Sequence, residues 1–381
     1  MINRIIEKEL EAKLFQKKVI LLLGGRQVGK STLLRKITQN REDTLWLNAD
    51  EPDIRALLEN SGSTRLKSYF GKKKLIILDE AQLIPDIGRK LKLMADSLPD
   101  VQVIATGSSA FEIRNASNEP LTGRKWEYQL FPLSFSEMAD ELGLLEEKRM
   151  LPHRLIYGYY PEIVTHPGEE RERLRLLSES FLYKDILMHL GLKKPEKLIH
   201  LLKLLAFYLG SEISYNKLSR ETGLNHETVE KYIQLLEQCY VVFRLPSFSG
   251  NLAKELRKSR KIYFTDNGII NSLTGNFAII ENRQDAGALW ENFVVNELRK
   301  VNEYWKQYGE FYFWRTHDQQ EIDLIIKKDA MLQAYEIKWN PKAKARLSKT
   351  FSSNYPEHSF AVITPDNPED YFIPSGFPAY G

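Results

Sequence analysis

The segment Gly24-Gly25-Arg26-Gln27-Val28-Gly29-Lys30-Ser31 has the spacing G-x-x-x-x-G-K-[ST] of a phosphate-binding P-loop. The chemistry that spacing serves is anion binding. Glycines let backbone N–H groups approach phosphate oxygens, and a helix starting at about Lys30 adds positive potential at its amino end. The expected ATP contacts are Gly24, Gly25, Arg26, Gln27, Val28, Gly29, Lys30, Ser31 and Thr32. Lys30 would reach the β- and γ-phosphates, and the Ser31 hydroxyl would ligate Mg²⁺. The run KLIILDE (74–80) supplies the complementary acids. Asp79 would hold Mg²⁺, directly or through water, and Glu80 would orient and deprotonate the attacking water. A third run, VQVIATGSS (101–109), places Thr106 where it could contact the γ-phosphate or that water.

A second set of acids lies in EIDLIIKKDAMLQAYEIKWN (321–340). It reads as a β-hairpin turning at Asp329-Ala330, with Lys328 facing Met331 and Asp323 facing Glu336. In that register Asp323, Glu336 and Lys338 converge on one patch. Paired carboxylates call for a cation, and hard oxygen donors suit Mg²⁺ or Mn²⁺. The pattern is the D…E-x-K of PD-(D/E)xK nucleases, in which the metal would hold a phosphate and Lys338 would stabilise developing charge. Upstream, GALWENFVVNELRKV (287–301) reads as a helix. It carries Glu291 on the same face as Val294 and Leu298, with Glu297 expected to be more exposed. The alternative is an ordinary charged strand pair, in which Glu321 faces Lys338 as a cross-strand ion pair.

GGRQVGKSTLL, LIILDEAQLIP, VIATGSSAFEI and LTGRKWEYQLFPLSFSE follow one another in an order that resembles a prokaryotic branch of AAA+ ATPases. Those proteins usually carry a C-terminal domain, formerly of unknown function, that is similar to restriction nucleases. The resemblance implies that Arg124 acts near a γ-phosphate, including from a neighbouring subunit. It also implies that Glu291 joins Asp323 and Glu336 as a metal ligand. The family often has Gly-Gly-aromatic-Pro further on, whereas this chain has Gly158-Tyr159-Tyr160-Pro161.

The elements that must position these groups follow from patterning. Val19 to Leu23 and the apolar residues of KLIILDE are buried strands of a parallel sheet, whose carboxyl ends gather ligand groups. ERERLRLLSESFLYKDIL and LIHLLKLLAFYLG have helical spacing, as an ATPase lid or a connector would. Residues 213–245 read as a short helix from Lys217 to Glu221, a turn at Gly223, a helix from His226 to Gln238 and a strand, the layout of a winged helix-turn-helix. The second helix exposes Asn225, His226, Glu227, Lys231 and Gln234, and KELRKSRK (254–261) is a candidate wing. Glu221, Glu227, Glu230 and Glu237 oppose DNA contact there.

With 381 residues, the chain has room for about two or three domains. The expected class is α/β: a P-loop AAA+ core over 1–160, a helical lid and winged helix over 161–275, and a restriction-endonuclease-like α/β domain over 276–381. A composition of 43% hydrophobic and 28% charged residues fits globular domains. The single cysteine, Cys239, excludes a disulfide framework and a cysteine-rich zinc site and fits a cytoplasmic location. No apolar run approaches the roughly 20 residues that span a bilayer, and the first residues read as a charged helix rather than a signal peptide. The net charge of +3 does not by itself argue for nucleic acid. The expected function is Mg²⁺-dependent ATP hydrolysis coupled to DNA binding and a nuclease-like region. Expected partners are ATP, DNA, a second copy of the chain or another protein, with no membrane. The alternative is a nucleotide-gated regulator or scaffold that binds DNA or protein without cleavage.

Overall fold

A computed structural model of the chain describes residues 1–109, 121–180, 195–249, 260–316 and 318–374. The chain divides into two compact units. The first is built mainly from residues 3–132 and the second from residues 133–237 and 241–381.

The first unit is a five-stranded sheet of β1 (Val19–Leu23), β2 (Thr44–Asn48), β3 (Leu75–Asp79), β4 (Gln102–Gly107) and β5 (Lys125–Gln129), in the order β2-β3-β4-β1-β5. Every neighbouring pair is parallel. The central strands β1 and β4 are buried at every residue. Continuous apolar runs such as VILLL therefore form here, because a strand covered on both faces has no polar side to alternate with. The helices Lys30–Thr38, Pro52–Glu59, Ser63–Phe70 and Ile87–Ser97 belong to the same unit. One core joins Leu21 and Leu23 of β1 and Ile76 and Leu78 of β3 to Leu58, Leu66, Leu91 and Met94 from three of these helices.

In the second unit, β6 (Glu212–Ile213), β7 (Val242–Pro246) and β8 (Arg260–Phe264) form an antiparallel sheet in the order β6-β8-β7. The helices Tyr215–Thr222 and His226–Gln238 lie between β6 and β7 in the chain. A four-stranded sheet has the order β12-β11-β10-β9. Its strands are β9 (Glu310–Arg315), β10 (Glu321–Lys328), β11 (Met331–Ile337) and β12 (His358–Ile363). Only the β11–β12 pair is parallel. The long helix Ala286–Tyr304 is buried along most of its length. Its Glu297 accepts from the backbone N–H of Phe135, and its Lys300 donates to the Leu133 carbonyl at 2.7 Å. Helix Phe135–Leu142 starts with a capping box, in which Ser134 and Glu137 each accept the other's backbone N–H. Among the described residues no helix is long and apolar enough to cross a membrane.

Candidate functional site

The P-loop runs from the carboxyl end of β1 into helix Lys30–Thr38. Gly29 caps that helix in the left-handed region at φ 96°, and Gln27 is also left-handed at φ 58°. Successive turns of this kind point backbone N–H groups into one concavity, the geometry that binds anions. Gly24 is glycine for a different reason. A Cβ there would sit 2.2 Å from the Leu130 carbonyl oxygen, whose chain closes onto β1. The Lys30 ammonium is buried and donates to the Gly24 and Gly25 carbonyls at 2.8 Å each. Thr32 is exposed on the first turn of the helix. Arg4 braces the loop, donating to the Val28 carbonyl at 2.8 Å and to the Phe131 carbonyl at 2.7 Å.

The carboxyl ends of β1, β3 and β4 lie side by side, and this brings the expected acids to the loop. The Ser31 hydroxyl donates to Asp79 Oδ2 at 2.8 Å. The Thr106 hydroxyl donates to the other oxygen, Asp79 Oδ1. Hydroxyl and carboxylate oxygens at this spacing are hard donors, and they fit a Mg²⁺ site that also draws on phosphate and water. Glu80 follows in the left-handed region at φ 51°, an uncommon conformation for a residue with a side chain. Its carboxylate is held by the Gln82 amide and by the Ser108 hydroxyl at 3.0 Å.

Arg124 does not join this group. It precedes β5, and its carbonyl accepts the Val19 N–H at the amino end of β1. The P-loop is at the other end, roughly 16 Å along the strand. The Arg124 side chain pairs with Asp96 at 2.5 Å. Arg124 therefore lies at the end of the sheet opposite its own chain's P-loop.

In the second unit the hairpin register agrees with the expectation: Lys328 faces Met331 and Leu324 faces Tyr335, so Asp323 is opposite Glu336. The β9–β10 register shifts between Ile322 and Ile325, beside Asp323. Asp323 Oδ2 accepts the Ile337 N–H at 2.8 Å and the Lys338 ammonium at 3.2 Å, and Lys338 also contacts Glu336 at 2.6 Å. Glu321 does not pair with Lys338. It binds Lys261 at 2.7 Å, and Arg315 stands 3.8 Å away. Glu291 also binds Lys261, at 3.0 Å, and accepts from the Tyr263 hydroxyl at 2.5 Å. The expected metal set of Glu291, Asp323 and Glu336 is divided between two lysines, Lys261 on Glu291 and Lys338 on Asp323 and Glu336. Each of the three already has a lysine partner. Among the described residues no group of three or more His, Cys, Asp or Glu side chains is placed to hold a metal ion.

Burial raises the Glu291 carboxyl above the usual range, with Lys261 opposing and Asp323 adding to the rise. Burial likewise raises Glu336, helped by Asp323 and opposed by Lys338. For Lys261 burial works against the charge, but Glu291 and Glu321 outweigh it and hold the ammonium above the ordinary lysine range.

Further expectations need correction or placement. Glu297 is buried rather than exposed, paired with Lys300 at 2.6 Å. Residues 254–259 of the candidate wing lie outside the described residues, and Lys261 at its end is buried. Asn225, His226, Glu227, Lys231 and Gln234 are all exposed. At the substituted Gly-Gly position, Gly158 is where the close approach occurs, since a Cβ there would lie 1.9 Å from Asp266 Oδ1. Tyr159 instead packs its buried ring on Phe293.

Residues 16–139 match the AAA domain family. Residues 148–279 and 286–376 match two domains of unknown function, DUF8612 and DUF4143. An uncharacterized protein of Mycobacterium tuberculosis is 28% identical, covering 86% of this chain and 72% of its own. An uncharacterized protein of Methanocaldococcus jannaschii is 22% identical, covering 96% and 88%. Among solved structures, the Walker-type ATPase of Pyrococcus abyssi is similar in fold, with a TM-score of 0.51 and 16% identity over 72% of this chain and 96% of that one. These findings support a P-loop AAA-type ATPase core.

Three residues of the two sites have no sequence signal of their own. Gln82 flanks a recognised motif, and its side-chain direction toward Glu80 depends on the turn after β3. Arg4 and Lys261 are brought in from 24 and 30 residues away. Neither has a spacing signal in the sequence.

Proposed function

We propose that the chain is a Mg²⁺-dependent ATP hydrolase whose nucleotide site governs a DNA-binding second unit. The observation that carries the reading is the line Ser31–Asp79–Thr106 beside a buried Lys30. Ser31 and Asp79 would hold Mg²⁺, which would supply charge neutralisation at the phosphate oxygens. Lys30 exchanges the Gly24 and Gly25 carbonyls for β- and γ-phosphate oxygens. Glu80 accepts the proton of the attacking water, aimed by Gln82 and Ser108. Thr106 holds Asp79 through its second oxygen. Arg124 serves the site of a neighbouring copy, which makes the working form an oligomer. ATP binding by the parent and by Lys30→Ala tests the site. A Lys30→Ala chain that binds ATP as tightly as the parent contradicts it.

The helices Tyr215–Thr222 and His226–Gln238 with β7 and β8 act as a winged helix that meets DNA through Asn225, His226, Lys231 and Gln234. Exposure of these side chains supports that reading. Binding to duplex DNA that is unchanged in Lys231→Ala/Gln234→Ala argues against it. The C-terminal sheet with helix Ala286–Tyr304 is nuclease-like in its Asp323, Glu336 and Lys338. The lysine partners of its acids favour the second reading, a nucleotide-gated module that binds without cutting.

A further inference from the structure

Lys261 is buried at the start of β8, and its ammonium lies between two carboxylates from different elements. Glu291 comes from the long helix at 3.0 Å and Glu321 from the start of β10 at 2.7 Å. The remaining acids, Asp323 and Glu336, share Lys338 at 3.2 and 2.6 Å. Tyr263, two residues after Lys261 on β8, donates to the same Glu291 oxygen. Four clustered carboxylates repel one another unless cations stand between them. A metal nuclease meets that need with a divalent ion. Here both lysines meet it from within the chain.

We infer that Lys261 is a built-in cation that takes the place of the divalent metal in this cluster, making it an ionic joint between β8, the long helix and the hairpin rather than a cleavage site. The inference rests on reading the C-terminal sheet as nuclease-like.

Three consequences follow from the geometry. The Lys261 ammonium lies within hydrogen-bond distance of both Glu291 and Glu321, so a second cation between them would meet its charge. The Glu291 oxygen that contacts Lys261 also accepts from Tyr263, which reduces the lone-pair capacity left for a metal. The lysine arrives on a strand rather than a flexible loop, and β8 is paired on both sides, to β6 and β7. Leaving would require breaking that pairing, so the ammonium is a standing part of the site.

The test uses the full chain with Lys30→Ala and Asp79→Asn, which removes the metal site at the P-loop. Mn²⁺ is titrated while the signal of the free ion is followed by electron paramagnetic resonance. The expected result is no stoichiometric Mn²⁺ binding when Lys261 is present, and none in Lys261→Arg, which keeps the charge. Lys261→Met frees Glu291 and Glu321 and should tighten Mn²⁺ binding at least tenfold, a gain abolished by adding Glu291→Gln. Stoichiometric Mn²⁺ binding to the Lys261 chain, lost in Glu291→Gln, overturns the inference while leaving the nuclease-like reading intact. A folded Lys261→Met chain with no gain in Mn²⁺ binding overturns both, because the acids are then not arranged for a metal. Where Lys261→Met does not fold, Lys261→Gln takes its place, with the same gain expected and the same absence of gain overturning the inference.

Discussion

The Ser31 hydroxyl donates to the Asp79 carboxylate at 2.8 Å, joining residues 48 positions apart at the carboxyl ends of two strands. Asp79 meets Thr106 through its other oxygen, so the carboxylate is held at both ends. Its position is set before any ion arrives. Replacing Asp79 with Asn removes the charge and keeps the shape. Hydrogen bonds to charged groups contribute about 1.5–3 kcal/mol, so Asp79→Asn should need roughly tenfold or more Mg²⁺ for half-maximal ATP binding. A Mg²⁺ titration of fluorescent ATP analogue binding checks this. An unchanged midpoint would place the ion elsewhere.

On the proposed mechanism Gln82 positions Glu80. Its amide N–H₂ donates to Glu80 Oε2 and to Ser108 Oγ, while its own Oε1 is buried with no hydrogen-bond partner among the described residues. An orphaned buried acceptor costs about 1–3 kcal/mol, so removing it does little harm to stability. The expected result for Gln82→Ala is an unchanged melting temperature and unchanged KM for ATP, with kcat lowered about tenfold, since misplacing a catalytic group by about 1 Å is that costly or more. A rise in KM at constant kcat would assign Gln82 to binding instead.

Within helix Leu144–Tyr157, the buried pair Glu147–Arg154 is bidentate, at 3.1 and 3.0 Å, and Tyr159 donates to Glu147 at 2.5 Å. Removing one partner leaves a buried charge uncompensated, at a cost of about 3–5 kcal/mol. Arg154→Met should lower the melting temperature strongly. The double variant Arg154→Met/Glu147→Leu should recover most of the loss, as seen by calorimetry.

Asp266 caps helix Asn267–Thr274, accepting from Gly268 N at 2.8 Å and from Tyr159 N at 2.7 Å. Burial pushes its carboxyl up to about 6 from an ordinary 3.8, against the pull of the Tyr159 N–H and Lys300. A folded-state value above the unfolded one means that the native chain binds more protons between the two. The stability contributed by Asp266 is therefore present below about pH 4 and is lost as pH rises through 6. Relative to Asp266→Asn, the parent should lose unfolding free energy between pH 4 and 6, measured by denaturant titration at several pH values. A constant difference would contradict the assignment.

What was legible in the sequence was local. The P-loop, the acids after β3 and the hairpin turn at Asp329-Ala330 declare themselves through apolar runs, glycine and alternation. The structure has the hairpin in the expected register. What was not legible depends on partners far away in the chain. Arg124 lies in a recognisable motif, yet the parallel pairing of β5 with β1 carries it to the far end of the sheet. Glu291 faces inward as its helical spacing requires, but its partner Lys261 lies in a charged run that reads as solvent-exposed. Glu297 is buried because Phe135 and Lys300 satisfy it, and neither contact has a sequence signature.

The most direct test of the ATPase account is phosphate release from ATP by the parent and by Glu80→Gln, in Mg²⁺, with bound ATP quantified in the same samples. The account predicts turnover in the parent. Glu80→Gln should bind ATP like the parent yet release phosphate roughly 10²–10⁴ times more slowly, the range a positioned general base contributes. Equal turnover in the two chains, or none in the parent with ATP bound, would contradict it.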